Sequence, residues 1–134
     1  MNRADLQQLS ELRIRESRTL LGAAEPSGAY YLAGYAAECA LKACIASQTQ
    51  QYDFPDKRLV NASHTHNLSE LLGIAGLRQR LDAADAGIRA NWAIAKDWSE
   101  QSRYETRTPQ EAQDLFDALT DTSDGVLIWL RQHW

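Results

Sequence analysis

The sequence predicts an all-α fold: an antiparallel up-and-down bundle of four long helices plus one short helix, in a single domain spanning residues 1–134. Three observations carry this expectation. Helical periodicity recurs along the chain, most cleanly through Ala112, Leu115, Phe116, Leu119, Ser123, Val126, Leu127, Leu130 and Trp134. No period-two run of useful length appears, and no hairpin dipeptide lies between two β-like segments. Helix start and stop residues fall between the periodic segments and leave mostly short connections, which place consecutive helices antiparallel. A chain of 134 residues suits one domain, and an apolar content of 44% argues against disorder.

The first helix spans residues 4–22. Leu6 and Leu9 open its apolar stripe and Leu20 and Leu21 close it, with Arg13, Arg15, Glu16 and Arg18 between them, so half of it faces solvent. Pro26 and Gly28 separate it from the next helix, and Pro26 suits a first helical position because its missing N–H is no loss there. The stretch Ala29 to Ala46, AYYLAGYAAECALKACIA, is the organising element. Its small and apolar residues run all round the helical wheel, the mark of a buried helix. Its ionisable groups at neutral pH are Glu38 and Lys42, an i,i+4 pair in the favourable order. They form either an edge-exposed solubilising pair or a polar seam answered by groups on other helices.

Residues 50–66 read as one long irregular stretch containing Pro55, His64 and His66; long loops in compact domains are often functional. Asn67 and Glu70 then form a capping-box-like start for a short helix ending near Ile74. Residues 77–104 read as a further helix, with Gly87 as a kink or a frayed point and Arg103 and Tyr104 at its end. Thr108, Pro109 and Glu111 start the last helix, which carries the clean stripe and an acidic outer face of Asp114, Asp117, Asp121 and Asp124.

A net charge of −4 and a pI of about 5.3 exclude a generic nucleic-acid binder, so any RNA contact must come from a local basic cluster. Cys39 and Cys44 point to different sides of one helix, which argues against a disulfide between them and for a reducing, cytoplasmic setting. The polar start MNRADLQQLSELRIRES is no secretion signal, and Glu38 and Lys42 interrupt the best apolar run, so no membrane association is expected. There is no Gly-rich phosphate loop, Gly-x-Ser-x-Gly or HExxH. His64 and His66 lack further Cys or His ligands nearby, so neither metal nor cofactor is expected. Asp82, Asp85, Asp97 and Glu100 are spaced like solvated helix charges, and the four tryptophans suit core and interface better than base stacking.

Three candidate groups remain. His66 precedes the cap Asn67, where it makes a local hydrogen bond or faces a groove beside the polar seam. Arg103 either pairs with Glu38 and locks two helices, or with Tyr104 offers a fork of donors to an anion. His133 sits where it complements a helix dipole.

The order of AGYAAECALKA, a Pro-containing loop, THNLSELL, SRYE and a Pro-started last helix resembles the HEPN domains (higher eukaryotes and prokaryotes nucleotide-binding), over residues 29–130. The resemblance implies a bundle of four to five helices that forms homodimers along a helical face. It also implies a place beside a minimal nucleotidyltransferase in toxin–antitoxin or defence systems. Glu38, Lys42, His66, Arg103 and Tyr104 are the expected ligand-binding residues, and the resemblance implies a nucleotide, RNA or partner nucleotidyltransferase as what they bind. Several branches of the family are metal-independent ribonucleases with an Arg-x4-6-His motif, in which Arg stabilises phosphate charge and His moves a proton at the 2′-OH. The match here is Arg58 and His64, with Leu59 after the Arg and in a loop rather than at a late helix start. A ribonuclease using Arg58 and His64 is therefore the alternative, and a structural partner-binding module without ligand the third reading.

Overall fold

A computed structural model describes residues 1–49, 54 and 56–134. The described residues are all-helical, with no strand. The helices are α1 (Arg3–Gly22), α2 (Pro26–Ala46), α3 (Lys57–Ala62), α4 (Leu68–Ile74), α5 (Arg78–Asp82), α6 (Ala86–Ala95), α7 (Pro109–Thr120) and α8 (Val126–Leu130), with a 3-10 turn at Glu100–Tyr104. No helix is long and apolar enough to cross a membrane among these residues.

The middle of the molecule is α2, which packs on α1, α4, the 3-10 turn, α7 and α8. Ala29, Ala33, Ala36, Ala37, Ala40 and Ala43 are wholly buried. Their small side chains let neighbours reach the backbone: Ser10 and Ser17 of α1 donate to the carbonyls of Ala36 and Ala29 at 2.8 and 2.7 Å. The buried face of α1 is thus Ser10, Ile14 and Ser17, while Leu6, Leu9, Leu20 and Leu21 are half-buried. Pro26 is the first helical residue of α2, as its fixed φ favours.

Three sequence expectations change. The stretch 50–66 is not irregular throughout: α3 occupies residues 57–62, started by Asp56 accepting from the Arg58 N–H at 2.9 Å. Pro55 and residues 50–53 lie outside the described residues. The helix expected over 77–104 is α5, α6 and a 3-10 turn, because Leu77, Asp85 and Ser99 each start a new segment; the Ser99 side chain accepts from the Gln101 N–H. Gly87 is not a kink within a long helix but lies in the first turn of α6, where it allows a close approach: a Cβ there would meet the Asp124 carboxylate at 2.2 Å.

The third change is in the last helix, which breaks after Thr120. Asp121 turns its carboxylate onto the N–H groups of Ser123 and Asp124, at 2.9 and 2.8 Å. Such side-chain bonds offer the backbone an alternative to the helix. A Cβ on Gly125 would lie 2.4 Å from the Asp121 carbonyl, so the turn requires glycine. The apolar stripe survives the break because Val126, Leu127 and Leu130 re-enter the same core. Trp98 lies against Gly34 of α2 and meets Tyr31 edge-on at 6.2 Å, which fixes the chain just before the 3-10 turn.

Candidate functional site

Glu38 lies in the middle of α2 and is 2% exposed. One carboxylate oxygen faces Lys42 Nζ at 3.4 Å, one turn further on. The other faces His66 Nδ1 at 2.9 Å, and His66 Nε2 in turn meets Glu100 at 3.2 Å. The result is a chain of alternating basic and acidic groups, Lys42–Glu38–His66–Glu100, joining α2, the entrance of α4 and the 3-10 turn. An imidazole donating through both nitrogens is the imidazolium; a neutral ring satisfies one carboxylate. This is the polar seam rather than the exposed pair.

Local turns position each member. Asn67 caps α4 by accepting from the Glu70 N–H at 3.0 Å. Thr65 Oγ1 accepts from the Asn67 N–H at 3.1 Å and donates to the Glu70 carboxylate at 2.7 Å. The expected capping box is therefore half formed, with Thr65 standing between Glu70 and the Asn67 N–H. This knot holds His66 over α2. Glu100 reaches it because α6 ends at Ala95 and Ser99, in extended geometry, starts the 3-10 turn.

Arg103 does not pair with Glu38. His66 occupies that place, and Arg103 is exposed, 4.8 Å over the Tyr104 ring, in no ion pair among the described residues. The physical reason is the break between Ala95 and Ser99: the 3-10 turn carries Arg103 to the first turn of α2, beside Ser27 and Gly28, instead of down to Glu38.

A cleft of about 530 Å³ opens between α1, α2 and α3. Leu6, Leu9 and Leu59 give apolar wall, and Tyr35, Glu38, Lys42 and His64 give polar surface. Cys39 also lines it, its thiol pushed up to about 12 by burial and by the adjacent Glu38. Burial likewise raises the Tyr35 phenol above its usual range. His64 is exposed on the cleft wall, whereas Arg58 is exposed elsewhere on α3 and makes no hydrogen bond or ion pair with His64 among the described residues.

The structure thus gathers Glu38, Lys42 and His64 on one cleft, with His66 behind Glu38, and leaves Arg58, Arg103 and Tyr104 apart. Sequence reasoning missed Glu100 as a member of the seam. The available signal was Ser99, a capping residue that starts the 3-10 turn carrying Glu100. His133 follows α8 and accepts from Arg80 at 3.0 Å; burial, then the Arg80 charge, lower its pKa below 6.5. Comparisons with protein-family models, with curated proteins and with solved structures return no match.

Proposed function

We propose that this is a HEPN-type accessory protein, an up-and-down antiparallel bundle acting in the cytoplasm as a homodimer, that binds a mononucleotide between α1, α2 and α3. One observation carries the reading: a cleft of about 530 Å³ with leucine walls and with Lys42 and His64 at its polar side. Small-ligand sites run roughly 300–1,000 Å³ and combine apolar walls with a few placed polar groups. Leu6, Leu9 and Leu59 offer apolar surface to a base, and Lys42 and His64 offer donors to a phosphate. The test is thermal unfolding across nucleoside monophosphates. A ligand at a hundred times its dissociation constant adds about 2.7 kcal/mol of stability. Lys42→Met is expected to abolish the response; an equal response in wild type and variant, or none in the wild type, ends the proposal.

A second reading, a metal-independent endoribonuclease, is favoured by the position of His64 on the same cleft as Lys42. In that reading Lys42 takes the phosphate-neutralising place expected for Arg58. Cleavage of RNA in chelator, lost in His64→Ala, supports it; an intact substrate after prolonged incubation with wild type removes it.

A further inference from the structure

We propose a phosphate-binding site at the N-terminal end of α2, separate from the cleft. Ser27 and Lys42 are 15 positions apart on one helix (42 − 27), roughly 22 Å along its axis. The site therefore stands or falls independently of the nucleotide reading.

Four observations converge there. First, α2 has no side-chain cap among the described residues: Glu25 makes no capping bond, and Pro26 has no N–H. The first N–H to find a carbonyl is that of Ala29, bonded to Glu25 at 3.1 Å, so the N–H groups of Ser27 and Gly28 donate to nothing among the described residues. Free N–H groups at the positive end of a helix of 21 residues attract an anion. Second, these residues line a cavity of about 350 Å³ together with Tyr31, Ser102, Arg103 and Glu105. Third, Ser102 is 1% exposed and its Oγ has no hydrogen-bond partner among the described residues. A buried hydroxyl on a cavity wall with no partner is the kind of group a ligand oxygen satisfies. Fourth, Arg103 brings a guanidinium that no carboxylate neutralises among the described residues. Its planar fork suits phosphate oxygens.

The remaining polar groups agree. Ser27 Oγ accepts from the Arg107 N–H at 2.9 Å, which leaves its own proton to donate into the cavity. Glu105 is the acid on this rim, and it is turned onto Arg107. The geometry fits a phosphate dianion, free or as the end of a monoester: two backbone donors, two hydroxyls and one guanidinium.

The experiment is a titration of the amide resonances of the intact chain with inorganic phosphate, and in parallel with glycerol phosphate and glycerol. Saturable shifts centred on Ser27 and Gly28, seen with both phosphates and not with glycerol, are expected. Tighter binding of glycerol phosphate assigns a monoester as the source, and equal binding assigns free phosphate. Arg103→Met, an exposed position whose spectrum reports its folding, is expected to weaken binding on the order of tenfold; Ser102→Ala is expected to weaken it as well. Ser27 and Gly28 amides that do not move, shifts centred on Lys42 and His64 instead, or full affinity in Arg103→Met would overturn the site.

Discussion

Gly34→Ala tests the contact that places the 3-10 turn. An ideal Cβ at Gly34 would lie 2.2 Å from three atoms of the Trp98 ring. Carbon atoms rest at about 3.5–4.0 Å, so the indole would have to retreat by more than about 1 Å. It has little room, being 2% exposed with the Tyr31 edge against it. Overpacking of this kind costs about 1–3 kcal/mol, and a rigid ring belongs at the upper end. Helix propensity acts the other way, because Ala is favoured over Gly by about 1 kcal/mol in a helix interior. The net expectation is a loss of about 2 kcal/mol.

For a chain of 134 residues the unfolding entropy is about 0.28 kcal/mol/K, so Tm should fall by about 7 °C. Urea unfolding with an unchanged slope provides the free energy directly. The sign should reverse in a Trp98→Ala background, where Gly34→Ala is expected to stabilise by about 1 kcal/mol. A single Gly34→Ala chain as stable as wild type, or more so, would refute the packing argument and, with it, the account of why Glu100 reaches His66.

The remaining expectations concern the seam and its surroundings. His66→Ala leaves the buried Glu38 with Lys42 alone and should cost about 2–3 kcal/mol in urea unfolding, whereas Glu100→Gln, at a half-exposed position, should cost less than about 0.5; equal losses would show that burial of Glu38 is not what His66 serves. Cys39 and Cys44, both with thiols near 12, should be inert to a disulfide reagent at pH 8, where about one thiol in ten thousand is ionised, and should react together once the chain is unfolded. His133 is held neutral in the fold, with its pKa below 6.5, so its contribution is intact above about pH 6.5 and is lost as pH falls through the lowered value. His133→Gln should flatten that part of the stability profile, and an unchanged profile would remove His133 from the account.

What the sequence made legible follows from what it encodes locally. The burial of α2 was readable because alanines, glycine and cysteines surround the whole wheel, and the caps at Asn67 and Thr108 were readable because a cap needs only its own next turn. The breaks after Ala95 and after Thr120 were not. Apolar periodicity continues through both, because the segments on either side bury into the same core. The competing signal was the turn chemistry of Asp121, Ser123 and Gly125, a few local bonds against a stripe of nine positions. The partner of Glu38 was equally hidden. Arg103 was the expected partner and His66 was placed only at the helix entrance or beside the seam; the chain's departure from the helix between Ala95 and Ser99 puts Arg103 out of reach and leaves the place to His66.

The shared carboxylate has a consequence for any ligand that uses Lys42. An anion engaging the Lys42 ammonium weakens its 3.4 Å contact with Glu38. Were Lys42 the sole partner, that exchange would leave a buried carboxylate unpaired, at a cost of several kcal/mol. A charge-assisted bond to the ligand contributes only about 1.5–3 kcal/mol, so binding would not occur. His66, at 2.9 Å on the other oxygen, keeps Glu38 paired while Lys42 turns to the cleft. The same reasoning ranks the variants: His66→Ala should lose nucleotide response although it removes no group from the cleft, and His66→Ala with Glu38→Gln should regain it, since the neutral amide no longer needs the ammonium. A double variant that binds no better than His66→Ala alone would mean that Lys42 and Glu38 are not in competition at all.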